Sequence, residues 1–155
     1  MHDPYIIEPH SFEWYYVNIA SLIGIIFFLG VSYFLFNYRY SDNKGVRSKI
    51  TKFLGFLLLA RLLIHHAYAI SENVWDINHS LPFHLCGISS MLCIFILFRY
   101  NQLIYEFLLL LGAPGALWSF LTPQINISQP LYMYVDYFIS HAAIIAVPIF
   151  LTICA

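Results

Sequence analysis

Charge is scarce in this chain. Of 155 residues only 7 are Lys or Arg and 8 are Asp or Glu, 10% in all, against about 25% in an average soluble domain. With 61% apolar residues and a mean hydropathy of +0.74, the side chains would overfill a soluble core and leave too little polar surface for water. An ordinary soluble globular protein is excluded, and so is disorder. The net charge of −1 excludes the basic footprint of a nucleic-acid binder. Cysteine is sparse as well. Cys86, Cys93 and Cys154 lie in apolar runs, and an odd number without CxxC spacing makes neither a disulfide framework nor a zinc site. Cys86 and Cys93 would stand ~10 Å apart on one helix, too far to bridge. No metal and no cofactor is expected. The first 15 residues lack a basic n-region, so no cleavable signal peptide is read there. What remains is a chain whose solvent is a bilayer, with membrane lipids as its expected partners.

A full crossing needs about 20 mainly apolar residues. Five runs qualify, at about 17–36, 50–70, 82–98, 103–121 and 133–155. They predict an all-α polytopic transmembrane bundle of about five helices, a single integral membrane domain over 1–155. The third run has 17 residues, which suits a helix entered at an interfacial start with Ser80 as N-cap and Pro82 in the first turn. Arg39, Lys44, Arg47, Lys49 and Lys52 cluster at the first connection, and Arg99 lies at the third. The positive-inside rule makes that side cytoplasmic. Asp3, Glu8, Glu13, Glu72 and Asp76 fall on the other. A cell-membrane protein with its N-terminus outside and its C-terminus inside is expected. The sequence stops at the end of an apolar run: either the fifth helix ends at the inner face, or the chain is a truncated member of a longer protein.

Ionisable groups at membrane depth are costly, and each is by default a candidate for function. Arg61, His65, Tyr68 and Glu72 are spaced 4, 3 and 4 apart, one stripe on the second helix. The plain alternative is an Arg–His–Glu ladder that pins this helix to its neighbours. On the third helix Cys86, Ser89, Ser90 and Cys93 share a face, and Cys86 sits ~6 Å below a start at Pro82. A cysteine near a helix N-terminus has its thiolate favoured by the macrodipole. Small residues there also permit close packing and nothing more. His84, two residues from Cys86, points to nearly the opposite side. The string Gly112-Ala113-Pro114-Gly115-Ala116 should kink the fourth helix. Tyr132, Tyr134 and Tyr137 read as an aromatic belt at the start of the fifth. If the crossing starts near Tyr137, His141 lies ~6 Å down, level with Cys86; if it starts at Leu131, His141 falls nearer ~15 Å.

Three strings, Leu81-Pro82-Phe83-His84-Leu85-Cys86, Leu121-Thr122-Pro123 and Asp136-Tyr137-Phe138-Ile139-Ser140-His141, occur in that order. Over roughly residues 75–148 the chain resembles the YwaF-like bacterial integral membrane proteins, a group similar to a eukaryotic transmembrane acyltransferase that remodels ether phospholipids through a cysteine. The resemblance implies Cys86 as nucleophile and His141 as its partner. His84 matches a position where bacterial members often keep histidine. Two departures stand out: those relatives continue through further helices, and Gly87 stands where an acidic residue is common.

Three functions compete. In a cysteine acyltransferase or lipid hydrolase, His141 takes the Cys86 proton and Cys86 attacks a phospholipid ester at the outer leaflet. Arg61 then holds a phosphate or oxyanion, with His65, His84 and Asp136 completing the substrate site. In a small-molecule or proton-coupled transporter the same residues would line a path, but the inner half offers little beyond Glu106 and Ser32, and inverted repeats are absent. In a non-catalytic membrane subunit the polar groups only specify packing.

Overall fold

Apolar runs interrupted by polar connections fold as helices, and the computed structural model describes residues 6–7, 11–34, 44–73, 75, 83–121 and 129–154. Five helices form: α1 (Phe12–Phe34), α2 (Lys44–Ser71), α3 (Leu85–Phe98), α4 (Gln102–Phe107, a π turn at Leu108–Gly112, then Ala113–Leu121) and α5 (Leu131–Cys154). A two-residue antiparallel ladder pairs β1 (Ile6–Ile7) with β2 (Gln129–Pro130), Ile6 opposite Pro130. It ties the segment before α1 to the start of α5. By length and composition, Ser48–Ser71, Gln102–Phe120 and Val135–Ile153 can each cross a membrane, with mean hydropathies of 1.7, 1.5 and 1.7. The 14 residues of α3 span only ~21 Å at 1.5 Å per residue.

The ends are set by local chemistry. Ser11 caps α1, its Oγ accepting from the Trp14 N–H at 3.2 Å, and Asn101 caps α4, its Oδ1 accepting from Ile104 N–H at 3.2 Å. These side chains satisfy donors that the first helical turn leaves unpaired. α2 closes at Asn73, whose φ of 56° is left-handed, and Trp75 N–H returns to Ala69 O at 3.0 Å. Helix limits differ from the apolar runs where good helix formers continue the coil into water. α2 starts at Lys44, so Lys44, Arg47, Lys49 and Lys52 lie on its first turns and not in a loop; Lys and Arg favour helix. α3 starts at Leu85 with extended His84 at its N-cap and no side-chain cap bond. Ser80, Pro82, Arg39, Asp76 and the pair Thr122-Pro123 lie outside the described residues.

The helix α5 is the centre. Its membrane window is 56% buried, against 11% for α2 and 22% for α4, and it touches each of the other four helices. The other four helices are arranged around it, α2 packing chiefly on α3, with Phe138, Ile144 and Phe150 wholly enclosed. Asn18 fastens α1 across the top, its Nδ2 donating to Phe120 O at 2.9 Å. The kink expected from Pro114 takes the form of the π turn just before it. Proline has no N–H to donate and its ring crowds the carbonyl four residues back; the widened turn accommodates both. Gly112 in that turn lies flush against two helices. A Cβ there would meet Ser89 Oγ at 3.2 Å and Ile144 Cγ2 at 3.4 Å. Below, the end of the bundle where α1 and α5 begin and α2 ends is called the upper end.

Candidate functional site

Arg61, in the middle of the apolar span of α2, is answered by a carboxylate from another helix. Arg61 donates Nε–H to Asp136 Oδ1 at 2.6 Å and Nη2–H to Asp136 Oδ2, a side-on fork. Its Nη1 points at Ser90 Oγ on α3, 3.4 Å away. His65, one turn along α2, places Nδ1 2.9 Å from Asp136 Oδ2, near enough for an ion pair but out of line for a hydrogen bond. Asp136 is only 5% exposed. A charge buried this deeply persists when it is paired and bonded on several sides, and bidentate geometry is the strong form of that pairing. The next turn continues the seam: the Tyr68 and Tyr132 rings pack at 4.3 Å. Glu72, exposed beyond them, makes no ion pair among the described residues. The stripe on α2 is therefore docked onto α5, where a ladder within α2 would have used Glu72.

A second group gathers on the opposite face of α5. Cys86 is the second residue of α3 and half-buried, so its sulfur lies in the first turn, where backbone N–H groups lack helical partners. Its Sγ is 4.0 Å from Ser119 Oγ on α4. Ser119 donates to Gly115 O at 3.1 Å, which commits its proton and leaves its lone pairs toward the thiol. Tyr137 donates its hydroxyl to Ser119 O at 3.3 Å, and its ring packs on the His141 ring at 4.1 Å. His141, 6% exposed, sets Nδ1 2.7 Å from Tyr137 O. A carbonyl only accepts, so Nδ1 carries the hydrogen, and in the neutral ring Nε2 is the basic nitrogen.

Cys86, Ser119, Tyr137 and His141 thus form a contiguous series from α3 through α4 to α5. No hydrogen bond joins Cys86 to His141 directly; Ser119 and Tyr137 connect them. Arg61, His65 and Asp136 come together around one carboxylate, and Ser90, one turn from Cys86 on α3, links the two groups. His84 is exposed at the mouth of α3. Cys93, by contrast, is fully enclosed, its thiol 3.9 Å from Ala143 O. Helical spacing puts Ser90 on the Cys86 face but does not reveal its approach to Arg61, and Ser119 enters the site only through packing. Spacing relates residues of one helix, and Ser119 meets Cys86 only across two; its sole signal was a hydroxyl in an apolar helix. The described residues contain no group of three or more His, Cys, Asp or Glu able to hold a metal.

Comparison with known proteins gives one match. The profile of the TMEM164 family aligns with residues 9–155. No curated protein and no solved structure matches the chain.

Proposed function

The chain belongs to the TMEM164 family of membrane proteins, and from that premise we propose that it is a membrane-embedded lipid acyltransferase or hydrolase working through Cys86. Within the family we read it alongside the YwaF-like bacterial members, as a single multi-pass domain of the cell membrane. The basic residues at the start of α2 favour a cytoplasmic lower end and an extracytoplasmic N-terminus. The observation that carries the reading is a thiol in the first turn of α3 that shares one run of contacts with a histidine whose Nε2 is its basic nitrogen.

His141 Nε2 accepts the thiol proton, and Cys86 Sγ forms a bond to the acyl carbonyl of a phospholipid. The ester C–O bond then breaks, the leaving alkoxide takes the proton from the imidazolium, and an acyl thioester remains on Cys86. A lysolipid hydroxyl or water, deprotonated in turn by His141, attacks the thioester and restores the thiol. Ser119 and Tyr137 hold the thiol and the imidazole in register. Arg61 offers a phosphate or oxyanion the N–H bonds left over from Asp136 and Ser90. Asp136 orients that guanidinium and itself stays clear of anionic substrate, while His65 and His84 flank the approach.

The test is reconstitution in phosphatidylcholine vesicles carrying an alkyne-tagged acyl phospholipid, followed by mass spectrometry of Cys86. The expected result is a hydroxylamine-labile acyl adduct on Cys86, absent in Cys86→Ala and formed roughly 10²–10⁴-fold more slowly in His141→Ala. Undiminished labelling of the Cys86→Ala protein would end the proposal.

A further inference from the structure

A cavity of about 440 Å³ lies on the other side of α5, between α1 and α2. Its wall runs along α5 from Phe138 to Phe150, a length of ~18 Å at helical rise. Nearly every side chain in it is apolar; the exceptions are Arg61 and Ser21. α2 and α5 run antiparallel, so Arg61 stands beside Phe138 at the upper end and Leu54 beside Phe150 at the lower. The groove is therefore ordered like an amphiphile, with a guanidinium at one end and hydrocarbon below. Two of its walls, α2 and α5, are long and apolar enough to cross a bilayer, and in a bilayer the medium with access to it is lipid tail.

We infer that this groove is a binding site for one acyl chain of a bilayer phospholipid, whose phosphate caps Arg61. Size agrees. If a methylene occupies a little under the ~30 Å³ share of a water molecule, the cavity holds on the order of fifteen, one long chain. Charge agrees too. Three of the five guanidinium N–H groups point at Asp136 and Ser90, which leaves two for a phosphate oxygen. The inference rests on the assignment of Arg61 to lipid phosphate and is independent of any chemistry at Cys86, which lies on α3 against Ser119 of α4, away from the groove lining.

Gly24 of α1 supplies the test. It lines the groove, and a Cβ built on it meets nothing within 4 Å, so Gly24→Leu adds bulk at the groove from an uncrowded Cβ and exchanges a poor helix former for a good one. The protein is reconstituted in phosphatidylcholine vesicles doped with a phosphatidylcholine that carries a diazirine midway along one chain, irradiated and mapped by mass spectrometry. Adducts are expected to concentrate on the Leu57–Leu58 and Ala142–Ala146 peptides, severalfold above exposed Leu110 and Leu111 of α4. Gly24→Leu should lower the groove adducts severalfold and leave those at Leu110 unchanged, and Cys86→Ala should alter neither. Even labelling of all lipid-facing helices, adducts insensitive to Gly24→Leu, or cross-links joining two copies of the chain through the groove would each overturn it. Loss of acylation with the groove pattern intact would count against the Cys86 chemistry alone.

Discussion

The two faces of α5 carry similar numbers of polar side chains and arrange them in opposite ways. Toward α2, Asp136 is gripped by both ends of the Arg61 fork and approached by His65, so the carboxylate is answered on both oxygens while Arg61 keeps two N–H groups unengaged. Toward α3 and α4, a thiol, a hydroxyl, a phenol and an imidazole touch in sequence, and the central contact, Cys86 to Ser119, is long at 4.0 Å. The first group clips α2 to α5, while α2 packs chiefly on α3. The second is joined by longer, looser contacts. On the chemistry proposed above, that looseness is what would leave Cys86 and His141 available.

The sharpest way to break this contrast is to remove one charge. Asp136→Asn leaves the half-buried Arg61 without its counter-ion, and thermal unfolding in detergent should show a loss of up to about 3–5 kcal/mol, the range for a fully buried pair. Arg61→Leu combined with Asp136→Leu should recover most of that loss, because two well-packed apolar residues remove both desolvation costs. If the single and double variants melt alike, the pair is not what secures α2. A smaller effect is expected at the π turn. Gly112→Ala drives a methyl to within 3.2 Å of Ser89 Oγ, at about 1–3 kcal/mol for overpacking. Adding Ser89→Gly should relieve it, and failure of that rescue would separate the turn from its fit against α3. The least effect on stability belongs to the loose group. Ser119→Ala removes the long contact to Cys86 and the local bond back to Gly115 O, and since hydrogen bonds between membrane helices average ~0.6 kcal/mol, its melting should barely move. Its rate of Cys86 alkylation by a maleimide should change nonetheless, while enclosed Cys93 stays unmodified in both proteins.

The bundle itself was legible in the apolar runs, because lipid solvation demands them. The helix starts were less so. Hydropathy marks the part of a helix that dissolves in lipid, and α2 begins before its apolar run, at Lys44. Periodicity on α2 correctly put Arg61, His65 and Tyr68 on one face but made Glu72 their natural partner; the true partner, Asp136, lies 75 residues away, beyond the reach of any single-helix rule. Cys86 and His141 were legible as rare polar groups in apolar segments. Ser119, which joins them, required the packing of three helices to be known.

The π turn of α4 has one more consequence. A turn closed by i→i+5 bonds takes up one residue more than an α turn, so everything beyond it is rotated by roughly 100° relative to an unbroken helix. Ser119 lies beyond it, as does Ala116, which is wholly buried. The widened turn works as a phase shifter: it lets the first half of α4 present one face to the bundle and the second half present another. Deleting one residue from Leu108–Leu111 would restore the ordinary phase, swing the Ser119 hydroxyl away from Cys86, and uncouple α4 from the thiol while leaving every side chain of that pair in the sequence.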